Sequence, residues 1–134
     1  MNGTGTCAKL ERTPAQQDAL NVASRWVAHA DAPDPAFVKK YTEALAAIAR
    51  ERGAVSLIDN TWATALGFPA LEHGCDIAIT ALTKHVGGHS DVMMGAASAG
   101  ERWYRRLRLG AQRLGHVVSP DDAALVLRGL RTMG

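Results

Sequence analysis

The sequence predicts an α/β fold in which helices flank a mostly parallel sheet. Helical and strand patterns alternate along the chain with short links, which is typical of βαβ winding. Two short apolar runs, at residues 54–58 and 77–82, resemble parallel strands that are buried on both faces. Asp59 follows the first run and Lys84 follows the second, so each predicted strand leads into a side chain that can do chemistry.

Two helices are predicted before the first strand. Thr13 and Pro14 form an N-cap and first-turn pair that opens a helix ending before residue 32, after a loose lead-in over the first dozen residues. Asp34 caps the second helix, and Gly53 ends it in a left-handed conformation. The apolar stripe of this second helix consists of Val38, Tyr41, Leu45 and Ile48.

The strand ends are where the sequence predicts a ligand site. Open α/β sheets bind ligands at the carboxyl ends of their strands, and there the Lys84 amine can form a Schiff base with a carbonyl. Asp59 occupies the same kind of position, although an Asp-Asn pair after a strand also suits a turn residue that bonds its own backbone. A short helix over residues 69–73, closed by Gly74, is predicted between the two strands.

The remainder of the chain is predicted to contain one strand and two helices. Residues 92–100 form a third strand or an extended segment, and residues 101–114 form a helix whose arginines lie on a solvated face. Ser119 caps the last helix. The predicted buried stripe of that helix consists of Ala123, Ala124, Leu127 and Leu130.

Composition limits the classes of protein that the chain can represent. A length of 134 residues, with 47% hydrophobic and 21% charged residues, is ordinary for one globular domain. A net charge of +2 gives no reason to expect a nucleic-acid or membrane partner. Cys7 and Cys75 show no metal-ligand spacing, and no apolar run is long enough to cross a bilayer. We therefore expect a cytoplasmic protein.

Four short motifs occur in order along the chain. They are residues 58–63 (IDNTWA), 70–74 (ALEHG), 83–91 (TKHVGGHSD) and 127–132 (LRGLRT). Together they resemble the trans-sulfuration enzymes, which depend on pyridoxal 5′-phosphate (PLP). Trp62 and the residues that continue from Asp91 are most similar to the family members that act on cystathionine by β-elimination.

The resemblance implies a fold and a role for three residues. The chain would be the central part of the large PLP-binding domain of the aspartate-aminotransferase-like (fold type I) enzymes. Lys84 would hold the cofactor covalently and then carry protons, Asp59 would face the pyridine nitrogen, and Thr83 would bond the phosphate. Ala81 stands where relatives often have a serine, so phosphate binding would depend more on Thr83 and on the backbone. His85 replaces a common aromatic residue.

The resemblance also implies an activity and its alternatives. A PLP-dependent carbon–sulfur lyase of methionine biosynthesis would convert cystathionine, a small amino-acid substrate, to homocysteine, pyruvate and ammonia, as a homotetramer. Cystathionine γ-synthase, methionine γ-lyase and O-acetylhomoserine sulfhydrylase of the same family remain alternatives, as does a non-catalytic remnant of a truncated gene. Residues 1–35 match the family poorly, and residues 36–134 are expected to be an incomplete domain that is inactive alone and self-associates.

A metal site is the alternative from another class of chemistry. His73, His85, His89 and Asp91 carry the imidazole and carboxylate groups that bind zinc or iron. No predicted helix places two of these histidines one turn apart, as helices do in common metalloenzyme motifs. Three of the four residues are also accounted for by the motif at residues 83–91. We therefore expect no metal.

Overall fold

The computed structural model describes residue 14 and residues 34–133. The predicted lead-in, the predicted first helix apart from Pro14, and Cys7 lie outside the described residues. None of the helices in the described part combines the length and the apolar composition needed to span a bilayer. The elements, in chain order, are α1 (Pro35–Glu51), β1 (Leu57–Asp59), α2 (Thr64–Gly67), β2 (Ile77–Ala81), β3 (Gly95–Ala99), α3 (Glu101–Arg113) and α4 (Pro120–Thr132).

The three strands form one mixed sheet in the order β1-β2-β3. β1 and β2 are parallel, with Asp59 beside Ile79, whereas β3 is antiparallel to β2, with Gly95 beside Ala81. The α/β class is therefore confirmed, and the predicted mostly parallel sheet is corrected to a mixed one. The physical reason is the connection between β2 and β3, since residues 82–94 form turns and irregular structure without the helix that usually links parallel strands. The Thr83 N–H donates to the Met94 carbonyl at 3.2 Å, so the chain returns beside β2.

The apolar side chains pack in two clusters. In the first cluster Phe68, Ala70 and Ala78 are buried, with Val38 of α1 and Ile58 of β1 packed against them. In the second cluster Val86, Val92 and Val126 join the segment after β2 to α4. Leu82, at the end of β2, packs against this second cluster and so connects the sheet to it.

The sheet is covered unequally on its two faces. Ile58 and Ala78 are register partners and lie on the face that the first cluster covers. Leu57 and Ile79 lie on the other face, and they keep 58% and 41% of their surface exposed. The prediction that these strands are buried on both faces is therefore wrong at Leu57 and Ile79, although Ile77, the register partner of Leu57, is buried.

The predicted capping residues form helix ends as expected. The Asp34 carboxylate accepts a hydrogen bond from the Ala36 N–H at 3.0 Å at the start of α1, and Gly53 has a φ of +65° just past its end. At the start of α4 the Ser119 hydroxyl accepts from the Asp122 N–H at 3.0 Å. The helix predicted over residues 101–114 is confirmed as α3.

The helix predicted over residues 69–73 is wrong, because these residues form turns. The short helix α2 lies just before them, and the buried side chain of Asn60 holds it in place. Asn60 Nδ2 donates to the Thr64 carbonyl at 2.9 Å and to the Phe68 carbonyl at 2.8 Å. One side chain thus satisfies backbone groups at both ends of a segment that has no sequence pattern of its own.

The predicted buried stripe of α4 is also wrong. Leu127 and Leu130 are each about half exposed, and the buried residues of this helix are Val126 and Gly129. The face of α4 that carries Gly129 packs against the segment after β2. A glycine gives no apolar signal, so hydrophobic periodicity selects a neighbouring face of the helix.

Asp76 joins the amino ends of β1 and β2 to α3. Its carboxylate accepts hydrogen bonds from the N–H and the hydroxyl of Ser56, each at 3.0 Å, and from the Trp103 indole N–H at 2.8 Å. The bond from the Ser56 backbone is the largest of the effects that hold the pKa of this carboxyl below its ordinary value.

We expect Asp76→Asn to lower the free energy of unfolding by about 1 kcal/mol at neutral pH, a value kept small because the group is partly exposed. The lowered carboxyl pKa contributes stability above about pH 4, and this contribution disappears as the pH falls below that value. The difference in the free energy of unfolding between wild type and Asp76→Asn should therefore be smaller below about pH 4 than at neutral pH. Denaturant unfolding followed by tryptophan fluorescence, at neutral pH and at a pH below about 4, measures this difference, with Glu72→Gln as an exposed control. A gap of equal size at both pH values would contradict the assignment.

Candidate functional site

Lys84 lies in a set of tight turns directly after β2. Its N–H donates to the Ala81 carbonyl at 3.1 Å, the Gly87 N–H donates to the Leu82 carbonyl at 2.6 Å, and the Gly88 N–H donates to the Lys84 carbonyl at 2.9 Å. These bonds hold the backbone of Lys84 at the carboxyl end of the strand, while its side chain is exposed. The predicted position of Lys84 after a strand is confirmed.

An open cavity of about 710 Å³ lies beside Lys84. A volume of this size is within the range of sites for small molecules and cofactors. The lining combines an amine, two hydroxyls, an imidazole and a carboxylate with apolar surface. The lining residues are Thr83, Lys84, His85, Gly88, Ser90, Asp91, Val92 and Met93.

Asp59 lies at the carboxyl end of β1, on the strand that runs parallel to β2. Its Oδ1 accepts a hydrogen bond from the Thr61 N–H at 2.9 Å. The hydroxyl and the backbone N–H of Thr61 hold the pKa of the Asp59 carboxyl below its ordinary value. The predicted strand-end position and the local turn are therefore both present, and Asp59 is not among the residues that line the cavity.

Thr61 connects the ends of the two parallel strands, and the sequence interpretation did not single it out. Its hydroxyl oxygen accepts a hydrogen bond from the Ala81 N–H at 2.8 Å, while its own N–H bonds Asp59. One residue thus fixes the end of β1 against the residue at which β2 ends. The available signal was a hydroxyl side chain two positions after an aspartate at a strand end.

The Thr83 hydroxyl is engaged with the start of β3. It accepts a hydrogen bond from the Met94 N–H at 3.0 Å and donates to the Met94 carbonyl at 3.3 Å. The predicted bond from this hydroxyl to a cofactor phosphate stays a prediction. Such a bond would need the hydroxyl proton to turn from Met94 toward the cavity.

His85, which lines the cavity, contacts a second aromatic ring. The Trp62 indole contacts the His85 imidazole edge to face, with 5.7 Å between the ring centroids. Trp62 keeps 81% of its surface exposed, and His85 lines the cavity. This contact brings the motif at residues 58–63 to the motif at residues 83–91.

The cavity is also connected to α4. Asp91 lines the cavity, and its carboxylate forms an ion pair with the Arg128 guanidinium. The hydrogen bond from Arg128 is the main cause that holds the pKa of the Asp91 carboxyl below its ordinary value. The motif at residues 127–132 thus also contacts the motif at residues 83–91, which contains Lys84.

The histidines considered as metal ligands are not brought together. His73 Nδ1 lies 3.0 Å from Glu43 Oε1, and its ring stacks on Phe68 with 4.7 Å between centroids. His89 Nδ1 lies 2.6 Å from the Gly87 carbonyl oxygen. Among residues 34–133 no three histidine, cysteine, aspartate or glutamate side chains are arranged to hold a metal ion.

Residues 34–134 match the family model described as Cys/Met metabolism PLP-dependent enzyme. The chain is 48% identical over 81 residues to a cystathionine beta-lyase of Salmonella typhimurium, an alignment that covers 60% of this chain and 20% of the relative. It is 32% identical over 121 residues to an L-methionine gamma-lyase of Pseudomonas putida, an alignment that covers 89% of this chain and 30% of the relative.

The fold is similar to part of a solved structure. The crystal structure of a methionine gamma lyase from Micromonospora echinospora matches with a TM-score of 0.64 and 32% sequence identity. The match covers 69% of this chain and 26% of the solved one. The chain therefore spans between 20% and 30% of the length of these relatives.

Replacing Thr61 by valine should raise the pKa of the Asp59 carboxyl toward its ordinary value. Valine has no hydroxyl, and the Thr61 hydroxyl is the largest of the effects that lower this pKa. Titration of side-chain carboxyl signals by nuclear magnetic resonance measures the change, and Thr61→Ser is the matched control that keeps the hydroxyl. If Asp59 had the same pKa in the valine variant as in wild type, the Thr61 hydroxyl would not be the cause of the lowered pKa.

Proposed function

This chain belongs to the Cys/Met metabolism PLP-dependent enzyme family, and we propose that it supplies the cofactor-binding core of a carbon–sulfur lyase acting on cystathionine. The observation that carries the proposal is the parallel pairing of β1 and β2, which brings the strand ends before Asp59-Thr61 and Lys84 to one edge of the sheet. The higher identity to a cystathionine beta-lyase than to a methionine gamma-lyase supports the choice of substrate.

The residues of this edge fit the chemical groups of PLP. The cofactor carries an aldehyde, a phosphate and a pyridine nitrogen, and each needs a different partner. The Lys84 amine suits the aldehyde, the hydroxyls of Thr83 and Ser90 suit the phosphate, and the Asp59 carboxylate suits the protonated ring nitrogen. The cavity beside Lys84 has the volume expected for a cofactor of this size.

Each residue then has a defined task. PLP, when bound, draws electrons away from the bonds at the substrate α-carbon. Lys84 Nζ would hold the cofactor through its aldehyde and would accept the α proton of the substrate. Asp59, whose low pKa keeps its carboxylate ionised at neutral pH, keeps the ring nitrogen protonated. The balanced reaction converts cystathionine and water to homocysteine, pyruvate and ammonia.

A γ-elimination from methionine is the second candidate. The support for it is the methionine gamma-lyase of Pseudomonas putida, whose alignment covers 89% of this chain, and the solved methionine gamma lyase with a similar fold. Lys84, Asp59 and Thr83 would serve either reaction. The products separate the two, because cystathionine gives pyruvate and methionine gives 2-oxobutanoate.

A homo-oligomer is part of the same proposal. Met93 lines the cavity with 91% of its surface exposed, and Trp62, which contacts the cavity residue His85, is 81% exposed. Leu66 is 77% exposed. Large apolar side chains that are left in water at the mouth of a site favour cover by further protein. A second copy of the protein is the partner that we propose.

Lys84 should take up PLP covalently. The purified chain is mixed with PLP, reduced with borohydride to fix the bond, digested and analysed by mass spectrometry. We expect the label on Lys84, since it is the lysine at the cavity, and little on Lys39 and Lys40, which are exposed on α1. Lys84→Ala should remove the label. Equal labelling of the three lysines would defeat the assignment.

Asp59→Asn should spare the capture of PLP and slow the chemistry at the substrate α-carbon. Capture needs only the Lys84 amine and the aldehyde, whereas loss of the carboxylate removes the charge that keeps the ring nitrogen protonated. The test uses a full-length enzyme that contains this segment, because residues 36–134 are expected to be inactive alone. In that enzyme, exchange of the cystathionine α-hydrogen with solvent deuterium, followed by nuclear magnetic resonance, should slow on the order of a hundredfold. Glu72→Gln is the control for loss of one carboxylate. Exchange at the wild-type rate in Asp59→Asn would show that Asp59 has another role.

A further inference from the structure

The backbone of α4 lies directly on the backbone of the segment that contains Lys84. Gly129 of this helix is buried, and a Cβ atom placed on it would overlap the Val86 carbonyl oxygen and lie 2.6 Å from the Gly87 carbonyl oxygen. Real Cβ atoms are not found so close to backbone atoms. The helix can therefore occupy this position only with glycine at residue 129.

Two further contacts hold the same helix to the same segment. Val126, one helical turn before Gly129, is buried against Val86 and Val92. Arg128 forms the ion pair with Asp91. Val86 lies before the Gly87–Gly88 pair and Asp91 lies after it. Helix α4 therefore contacts the chain on both sides of these two glycines.

The contact is transmitted to Lys84 through tightly packed backbone. A Cβ atom on Gly87 would lie 2.8 Å from the Leu82 carbonyl oxygen and 3.0 Å from Val92 Cγ1. The Gly87 N–H also donates to the Leu82 carbonyl at 2.6 Å, which closes the turn around Lys84. A shift of Gly87 away from α4 therefore changes the turn on which the amine is carried.

Arg128 has an electrostatic effect besides its geometric one. Its partner Asp91 lines the cavity together with the Lys84 amine. A carboxylate without this guanidinium would present an unpaired negative charge to an anionic ligand in the cavity. Pairing with Arg128 holds the carboxylate against α4 and offsets its charge.

We propose that Gly129 and Arg128 are positioning residues for Lys84: they hold its turn and keep the cavity favourable for an anionic cofactor, although neither touches the amine. The part of this inference that concerns PLP rests on the proposed function. The part that concerns the turn rests on the contacts of α4 alone. A purely structural role would lower stability without changing the reactivity of Lys84 in the folded state.

The first test compares the same substitution at two helical glycines. Gly129→Ala adds a Cβ where backbone atoms already lie, whereas Gly110→Ala on α3 adds one where nothing lies within 4 Å. Hydrogen–deuterium exchange of the Gly87 and Gly88 amides under folded conditions should become at least about tenfold faster in Gly129→Ala only. Borohydride-trapped PLP at Lys84 should form about tenfold more slowly in Gly129→Ala, with labelling of Lys39 and Lys40 unchanged.

The second test removes the ion pair without adding bulk. Arg128→Gln is compared with Arg131→Gln, an exposed arginine on the same helix. We expect slower PLP capture at Lys84 in Arg128→Gln and not in Arg131→Gln, with the difference shrinking at high salt because screening weakens the unpaired charge. Arg128→Lys keeps the positive charge and should restore part of the rate.

The outcomes separate this inference from the proposed function. If wild type fails to take PLP at Lys84, the proposed function fails, while amide exchange at Gly87 and Gly88 still decides whether α4 holds the turn. If Gly129→Ala does not fold, Arg128→Gln against Arg131→Gln decides the matter by both readouts. The inference would be overturned if Gly129→Ala and Arg128→Gln showed the same amide exchange rates and the same rate of Lys84 labelling as their controls, Gly110→Ala and Arg131→Gln.

Discussion

The site depends on the parallel pairing of β1 and β2. This pairing sets Leu57 beside Ile77 and Asp59 beside Ile79, so both strands end at the same edge of the sheet. A slip of one residue would turn every side chain of a strand to the other face. The hydrogen bond from the Ala81 N–H to the Thr61 hydroxyl fixes this register at the edge where Asp59 ends β1 and Lys84 follows β2.

Lys84 lies between two packed regions rather than inside either one. The cluster around Phe68 and Ala78 holds the sheet, and the cluster around Val86 and Val126 holds the segment after it. The tight turns after β2 connect the two regions, and the exposed amine extends from these turns. Such an arrangement places a reactive side chain at a cavity while its backbone stays fixed, which is what a site for an added cofactor requires.

Three carboxylates each accept hydrogen bonds from their own donors. Asp76 accepts from Ser56 and Trp103 at the amino ends of the strands, and Asp59 accepts from Thr61 at the carboxyl edge. Asp91, which lines the cavity, is paired with Arg128 of α4. These hydrogen bonds favour the ionised form in every case, and the pKa of each carboxyl is lowered. Lys84 thus follows the strand that pairs with the one ending in Asp59, and it shares the cavity with Asp91.

The sequence alone determined the features that depend on near neighbours. The caps at Asp34 and Ser119, the strand before Lys84 and the position of Asp59 follow from spacing and side-chain chemistry within a few residues, and the four motifs identified the family. Only the tertiary structure decided that β3 runs antiparallel, that Asn60 holds α2, and that α4 packs through Gly129. Each of these depends on groups that are distant in sequence, or on the absence of a side chain, and neither leaves a periodic signal.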